Sequence, residues 1–443
     1  MKKPIIIGLV AVAAVAGGLP YASGYLAESQ TRQSLVDLNS RSPYGKLEIV
    51  KYERGYKATY AEYKWVTNPE LEQDLPIGEV VIGCDGVHQM LSFDYSCTLK
   101  NMGLQDEQIR AVFKGKEPLT VTGSIGLTGD ETSQMTINPF EIITPTNVRI
   151  TSDGGRISSS ANASISELKV EGTFSPVTVV DAAGGEVRIS ESTLAMDGGM
   201  LERKYFLGDS VVKVNDITVI APMLGAPVVV NDVSVVSSGQ VENGMYSGSG
   251  SLNMGELTLP AALNRRSNTD VLVKDVSIGL SFADTPFAPL AELSDYSSKL
   301  AEQVSASGSV DPAMDEEYLK AQVLALLKKD LAIKLWVDSN VNEGALKSHV
   351  NTVLTKDLTE EFISELETGG ALAGLKLLQM VDMDILVAIP NSVSELSPEV
   401  AMMAAMSNKF VADDSGLTAK LVLQDGAITL NGQPTSIEAL MRN

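Results

Sequence analysis

Val212-Lys-Val-Asn-Asp-Ile-Thr-Val219, Val228-Val-Val-Asn-Asp-Val-Ser-Val235 and Val271-Leu-Val-Lys-Asp-Val-Ser-Ile278 carry one local pattern three times. Apolar residues alternate in each copy, as on a half-buried strand. The alternation changes phase at the Asn/Lys-Asp pair: Val212 and Val214 share one parity, Ile217 and Val219 the other. A strand that keeps its apolar face inward across such a slip needs an extra residue, a β-bulge or a tight turn. Repeated bulges bend and twist a sheet, so the pattern predicts a curved antiparallel sheet, a groove or half-barrel. Asp216, Asp232 and Asp275 could instead gather as oxygen ligands for a hard cation, but Asp is equally a bulge and turn residue. The copies start 16 and 43 positions apart, which is no fixed period and speaks against a regular solenoid.

Outward from these copies, the whole stretch from Leu119 to Phe282 reads as β, with strands such as Glu186–Ile189 and Glu256–Leu259 between Gly, Asn, Asp and Ser clusters. Upstream, Leu47 to Trp65 alternates and is rich in tyrosine (Tyr52, Tyr56, Tyr60, Tyr63), as strands packed on one face would be. A helical stalk is predicted over Tyr25–Leu38. Downstream the period changes. Pro286–Val304 and Asp315–Leu331 read as helices, the second with Leu319, Val323, Leu326 and Leu327 on one face. Strands are predicted at Ala332–Trp336, Ala345–Val353 and Asp382–Ile389, and a helix over Thr359–Met380. Ser397-Pro398-Glu399 opens a helix bearing Met402, Met403 and Met406, which we read as gap-filling core. A hairpin, Leu417–Leu423 with Ala427–Leu430, and a helix at Ser436–Met441 end the chain. The expected fold is therefore α+β and predominantly β. It divides into residues 1–27 (membrane anchor or signal), 28–284 (β-rich region) and 285–443 (α+β region packing on or continuing the same sheet).

Composition removes several function classes. The 443 residues hold 34 Lys+Arg against 56 Asp+Glu, a net charge of −22, the wrong sign for binding nucleic-acid backbones. With two Cys and two His, a zinc site would need all of Cys84, His88, Cys97 and His349, whose spacing matches no finger pattern. A hydrophobic share of 44% with 20% charged residues is that of a folded chain, not a disordered one.

The N-terminus sets the compartment. Lys2 and Lys3 precede an uncharged run from Pro4 to Ala27, about 36 Å long as a helix and so able to cross about 30 Å of hydrocarbon. Under the positive-inside rule everything after Glu28 is exported. Ala14-Val15-Ala16 resembles a signal-cleavage site, whereas Leu19, Tyr21, Tyr25 and Leu26 extend the segment as an uncleaved anchor would. Gly8, Gly17, Gly18 and Gly24 could serve homodimerisation through the anchor, although Gly-x-x-x-Gly spacing is missing.

Export makes Cys84 and Cys97 readable as a structural disulfide closing a hairpin-sized loop; the rival reading, a redox pair, lacks Cys-x-x-Cys spacing. Catalytic signatures are missing: no nucleophile elbow, phosphate loop, dinucleotide fingerprint or His-Glu-x-x-His. His88 and His349 read as ordinary surface or strand histidines, and Ser166-Glu-Leu-Lys169 as a chance Ser-x-x-Lys match. No catalytic residue, metal site or cofactor is therefore expected.

The Lys-flanked N-terminal segment, the Tyr52-Glu-Arg-Gly55 stretch and the C-terminal Gly426-Ala-Ile-Thr-Leu-Asn-Gly432 with Ser436-Ile-Glu-Ala-Leu440 resemble the YdgA-like family of Gram-negative envelope proteins, a family defined by a domain of unknown function. The resemblance implies inner-membrane attachment with a periplasmic body, and marks Tyr52, Arg54 and Gly55 as its motif residues. It brings no catalytic residues, and Cys84 and Cys97 do not belong to its pattern. Arg54-Gly55 reads as a kink where the chain enters a strand, with the arginine pairing across it; an anion site is the alternative. A single helix followed by long amphipathic β structure is also reminiscent of AsmA-like lipid-handling proteins, an analogy of architecture alone. The functional expectation is a non-enzymatic envelope protein that binds a protein partner or a lipid. The alternative is a periplasmic hydrolase without a familiar motif.

Overall fold

The computed structural model describes residues 45–67, 80–89, 91–102, 111–144, 146–202, 204–264, 269–307, 316–362 and 378–441, with single helical positions at 28, 29, 32, 35, 36, 39, 364 and 376. The predicted membrane segment, residues 1–27, lies outside them. Among the described residues no helix is long and apolar enough to cross a membrane. The chain forms two compact units, residues 1–182, 191–208 and 298–310 in one and 183–190, 209–297 and 311–443 in the other.

The first unit is built on antiparallel strands. These are β1 (Gly45–Arg54), β2 (Ala58–Thr67), β3 (Val80–His88), β4 (Ser92–Met102), β5 (Leu119–Gly126) and β6 (Glu131–Ile137), each paired with the next. Next come β7 (Phe140–Ile143), β8 (Arg149–Ser152), β9 (Gly155–Ala161), β10 (Leu168–Phe174) and β11 (Val177–Val180). β9 returns to pair with β6, β10 pairs with β9, and Ser192–Leu201 pairs with β10, while β7, β8 and β11 pair among themselves.

Register gives this sheet two unlike faces, because alternate residues of a strand point to opposite sides. One cross-strand row runs Tyr52, Ala61, Cys84, Cys97, Val121, Met135, Ile157, and the next contains Thr59, Gly86, Tyr95, Gly123 and Ser133. The opposite face carries Glu62, Lys64, Asp94, Thr120, Thr122, Gln134 and Ser158. Glycines make room for rings on the apolar face. A Cβ at Gly86 would stand 2.2 Å from the Phe93 ring, and one at Gly123 would meet Tyr95 at 2.4 Å.

The second unit is a meander of long antiparallel strands: Val228–Glu242, Met245–Leu259, Val271–Pro286, Ala332–Val341, Gly344–Leu354, Val381–Pro390, Gly416–Gln424 and Ala427–Leu430. Its core cluster is Leu331, Leu354, Leu358, Phe362 and Val381. The repeated pattern behaves differently in its three copies. In the third, the register shifts between Lys274 and Ser277, the extra residue that the phase slip demands, with Asp275 at φ 52°. In the second, Asp232 (φ 54°) and Val233 drop out of the ladder opposite Met254 and Gly255 with no net shift. A Cβ at Gly255 would come within 2.9 Å of Asp232. In the first, Asp216 closes a short pairing of Glu186–Ile189 with Ile217–Ile220, its amide donating to Ser190 Oγ at 2.7 Å.

Two local expectations need correction. The helix predicted over Asp315–Leu331 ends at Leu326, because Asp330 takes a left-handed φ of 72° and its amide bonds Leu354 O, turning Leu331 into the core. On the methionine helix, Pro398–Met406, Met402 and Met406 do not fill a core: they are 58% and 70% exposed, and Ala404 is buried. Arg54 ends β1, and Gly55 turns the chain into β2 with its amide bonded to Ala58 O.

Candidate functional site

The apolar face of β1–β6 encloses a cavity of about 350 Å³. Its wall is Leu47, Ala61, Ile82, Phe93, Val121 and Ile125, and the rings of Tyr52, Tyr63 and Tyr95 complete it. The volume lies within the ~300–1,000 Å³ range of small-molecule sites, and the mix of aliphatic walls with a few hydroxyls is typical of them. Bulk alone does not explain the cavity. β1 carries a register irregularity between Ile49 and Lys51, so that Tyr52 falls on the same face as Leu47 and Ile49 despite its opposite parity. Were Val50 paired in the ladder instead of looped out, Tyr52 would point away from the cavity.

Cys84 and Cys97 face each other in the β3–β4 ladder with their Cα atoms 4.0 Å apart, and their sulfurs are joined. The bridge lies on the cavity face, part of the lining. Below it, His88 is 5% exposed. Its Nδ1 stands 3.1 Å from Tyr56 O, a pure acceptor, and its Nε2 stands 2.6 Å from Thr59 Oγ1. The carbonyl requires the proton on Nδ1, so Nε2 accepts from the threonine hydroxyl. The ring also packs against Phe93 at 5.4 Å. Of the two readings expected from sequence, surface or strand, the structure gives the strand: His88 ends β3 as a buried strut. His349, paired with Asp338 at 2.8 Å, belongs to the second unit and has no part in this site.

One end of the cavity is bounded by the N-terminal helix. Glu28 Oε2 accepts from Arg54 Nη1 at 2.9 Å, and Glu28 Oε1 accepts from Arg32 Nε at 3.1 Å. The Arg32 guanidinium lies 5.5 Å from the Tyr52 ring centre, Leu35 contributes to the lining, and the Asn39 amide bonds both the N–H and the C=O of Leu47. The order 28 to 39 on the helix against 54 to 47 on β1 shows that the two run antiparallel. Tyr52 and Arg54 therefore hold this helix, and Arg54 has a carboxylate partner instead of an anion from solution. At the other end, Tyr95 donates to Glu131 Oε1 at 2.5 Å.

Electrostatics follow from this placement. Burial, reinforced by the Glu28 carboxylate and opposed by Arg54 and Arg32, pushes the Tyr52 phenol up to about 12. Burial first, then the bond to Glu131, pushes the Tyr95 phenol well above the ordinary range. Both hydroxyls stay protonated at neutral pH and serve as donors, not as bases. Among the described residues no group of three His, Cys, Asp or Glu side chains comes together as a metal-ligand set; Asp275 instead accepts from Asn340.

The sequence profile of a family described as bacterial proteins of unknown function (DUF945) matches residues 1–438. The chain belongs to this family. No curated protein and no solved structure matches it significantly. The match takes in Tyr52–Gly55 and Gly426–Gly432 of the segments quoted for the resemblance, and ends at residue 438 within the last one, Ser436–Leu440. Sequence reasoning missed Glu28, Asn39, Phe93 and Glu131. Tyr52, Cys84 and Cys97, which the sequence did single out, all line the cavity, and the missed residues join them only through the fold.

Proposed function

We propose that this chain is a non-enzymatic envelope protein that holds an apolar ligand in the cavity on the β1–β6 face. The observation that carries the reading is the lining itself: six aliphatic or aromatic wall residues and three tyrosine rings around about 350 Å³. A filled core of the same strands would leave no such space, because protein interiors pack at crystal-like density. The Lys2-Lys3 flank and the uncharged run from Pro4 to Ala27 support a single inner-membrane helix with the body in the periplasm. The Cys84–Cys97 bridge supports the same compartment, since disulfides persist where the surroundings are oxidising. The likeness of the Tyr52–Gly55 stretch to YdgA-like envelope proteins points the same way. Under this reading the helical positions Glu28, Arg32, Leu35 and Asn39, which follow the anchor in sequence, place the binding site next to the bilayer, where the ligand is a membrane lipid.

The test is mass spectrometry of organic extracts from the full chain purified in mild detergent, beside an unrelated anchored protein and a Val121→Trp variant that fills the cavity. Near-stoichiometric lipid on the wild type, lost in Val121→Trp, is expected. Identical extracts from all three overturn the reading and leave a protein partner as the ligand.

A further inference from the structure

The cavity lining is polarised in charge as well as in polarity. Among the described residues no lysine, arginine or histidine side chain lines it, and the one acidic side chain facing the apolar side of the sheet is Glu131. Asp85 also borders the cavity, but it lies opposite Tyr60 in the ladder, one position from Cys84, so its side chain points to the polar face. The nearest guanidinium groups, Arg32 and Arg54, are both held by Glu28.

Glu131 has capacity to spare. Its Oε1 accepts from Tyr95, while Oε2 takes no protein donor among the described residues. An ionised carboxylate offers about four acceptor positions. Glu131 is exposed at the edge of the lining, bonded to the Tyr95 hydroxyl, and the Tyr95 ring stacks on Phe93 with ring centres 6.4 Å apart. A carboxylate attracts cations and repels anions. The Tyr52 ring at the other end already carries a cation of the chain itself, Arg32, over its face.

We infer that the cavity selects amphiphiles with a cationic amine end, which the Glu131 carboxylate receives while the alkyl body fills the wall formed by Leu47, Ile82, Val121 and Ile125. This rests on the ligand-binding reading above and adds the chemical class. It disfavours fatty acids and other amphiphiles whose headgroup is purely anionic, for which the described lining offers neutral hydroxyl donors but no cation.

The test compares dodecylamine, dodecanol and dodecanoate on the full chain in mild detergent at neutral pH, with bound copies counted by native mass spectrometry. The three share one apolar body and differ in charge. Because the protein carries a net charge of −22, an amine also binds elsewhere, so retention by Val121→Trp and by Ile82→Trp is subtracted. The wild type should retain the amine at least about tenfold more tightly than the carboxylate, with the alcohol between them. Glu131→Gln should reduce the amine to the level of the alcohol. Glu171→Gln removes an equal charge from the polar face of the same sheet and should leave the preference unchanged. Dodecanoate binding as well as dodecylamine, or a preference that survives Glu131→Gln, overturns the inference while leaving an apolar site intact. If none of the three exceeds the filled-cavity variants, the ligand-binding reading itself fails, and the inference falls with it.

Discussion

Removing the Arg54 guanidinium should loosen the N-terminal helix without unfolding the sheet beneath it. The Arg54–Glu28 bond is 2.9 Å long, and the two side chains are only 23% and 22% exposed. A fully exposed pair would contribute ~0.2–1 kcal/mol, and this one lies above that range because water screens it less and Arg32 joins the same carboxylate. We take a coupling of about 1.4 kcal/mol, which is tenfold in an opening equilibrium. Arg54→Met keeps the aliphatic stem, so the loss reports the charge and not the packing. Hydrogen–deuterium exchange on the full chain is the assay, following the amides of residues 28–39 against those of β4 and β5. Exchange in the helix should accelerate about tenfold while β4 and β5 stay unchanged. In the Glu28→Gln, Arg54→Met cycle the double variant should exchange no faster than the worse single one. Helix protection equal to wild type in Arg54→Met, or additive losses in the double variant, refutes the assignment of Arg54 as the clasp.

Serine at both Cys84 and Cys97 should cost about 3 kcal/mol, from the chain entropy of a loop with a sequence separation of 13. A thermal melt reads this, and reductant should reproduce it in the wild type; an unchanged melt under both conditions rejects the bridge as a stabiliser. Gly86→Ala puts a carbon within 2.2 Å of the Phe93 ring, so it should destabilise by ~1–3 kcal/mol, and Phe93→Leu in the same chain should recover part of the loss. Additive losses would mean the ring does not rest on Gly86. Tyr52 and Tyr60 both ionise near 12, the first because of burial and the second because of its bond to Glu62. In the unfolded chain a tyrosine ionises near 10, so stability should be intact below about pH 10 and fall as pH rises towards 12. Ultraviolet absorbance of phenolate in folded protein should lag the denatured protein across this window; coincident curves would contradict the placement of both rings.

The alternation of single strands was legible because it depends only on local order. The strand pairs Leu47–Trp65, the long β stretch from Leu119 and the final hairpin all reflect a period of two that no distant residue can alter. Helix ends were less legible. Leu327 to Leu331 continues the helical period of Leu319 and Val323, yet Asp330 is drawn to Leu354 O, an acceptor on a strand 24 positions away. The phase slips were half legible. Identical Asn/Lys-Asp patterns give a register shift at Asp275 and only a gap in the ladder at Asp232, because the partner strand decides whether the extra residue is absorbed.

The cavity illustrates the deeper limit. Its walls come from five strands whose residues have no common spacing, and they meet because four successive registers align Tyr52, Ala61, Cys84, Cys97 and Val121 in one row. A slip of one position at any of those pairings would turn every residue beyond it to the polar side. The pairing Cys84↔Cys97 fixes one register covalently, and the Asn39 bonds to both backbone groups of Leu47 hold the helix where Leu35 reaches the lining. Tyr52 is the residue where sequence and structure part most sharply. Counted from Leu47 its parity places it on the polar face, and the irregularity at Ile49/Lys51 reverses that. Looping Val50 out of the β1 ladder thus sets two properties together. It keeps the Tyr52 ring on the cavity side, and it presents Arg54 on the same side as Tyr52, within reach of Glu28. Deleting Val50, which is 59% exposed, should therefore leave both features in place, because Ile49 and Lys51 then meet Tyr63 and Glu62 in unbroken alternation. The helix amides should keep their protection and the Tyr52 phenol should stay well above its ordinary range, as in the wild type. Loss of either feature in the deletion variant would show that Val50 is not the residue the bulge absorbs.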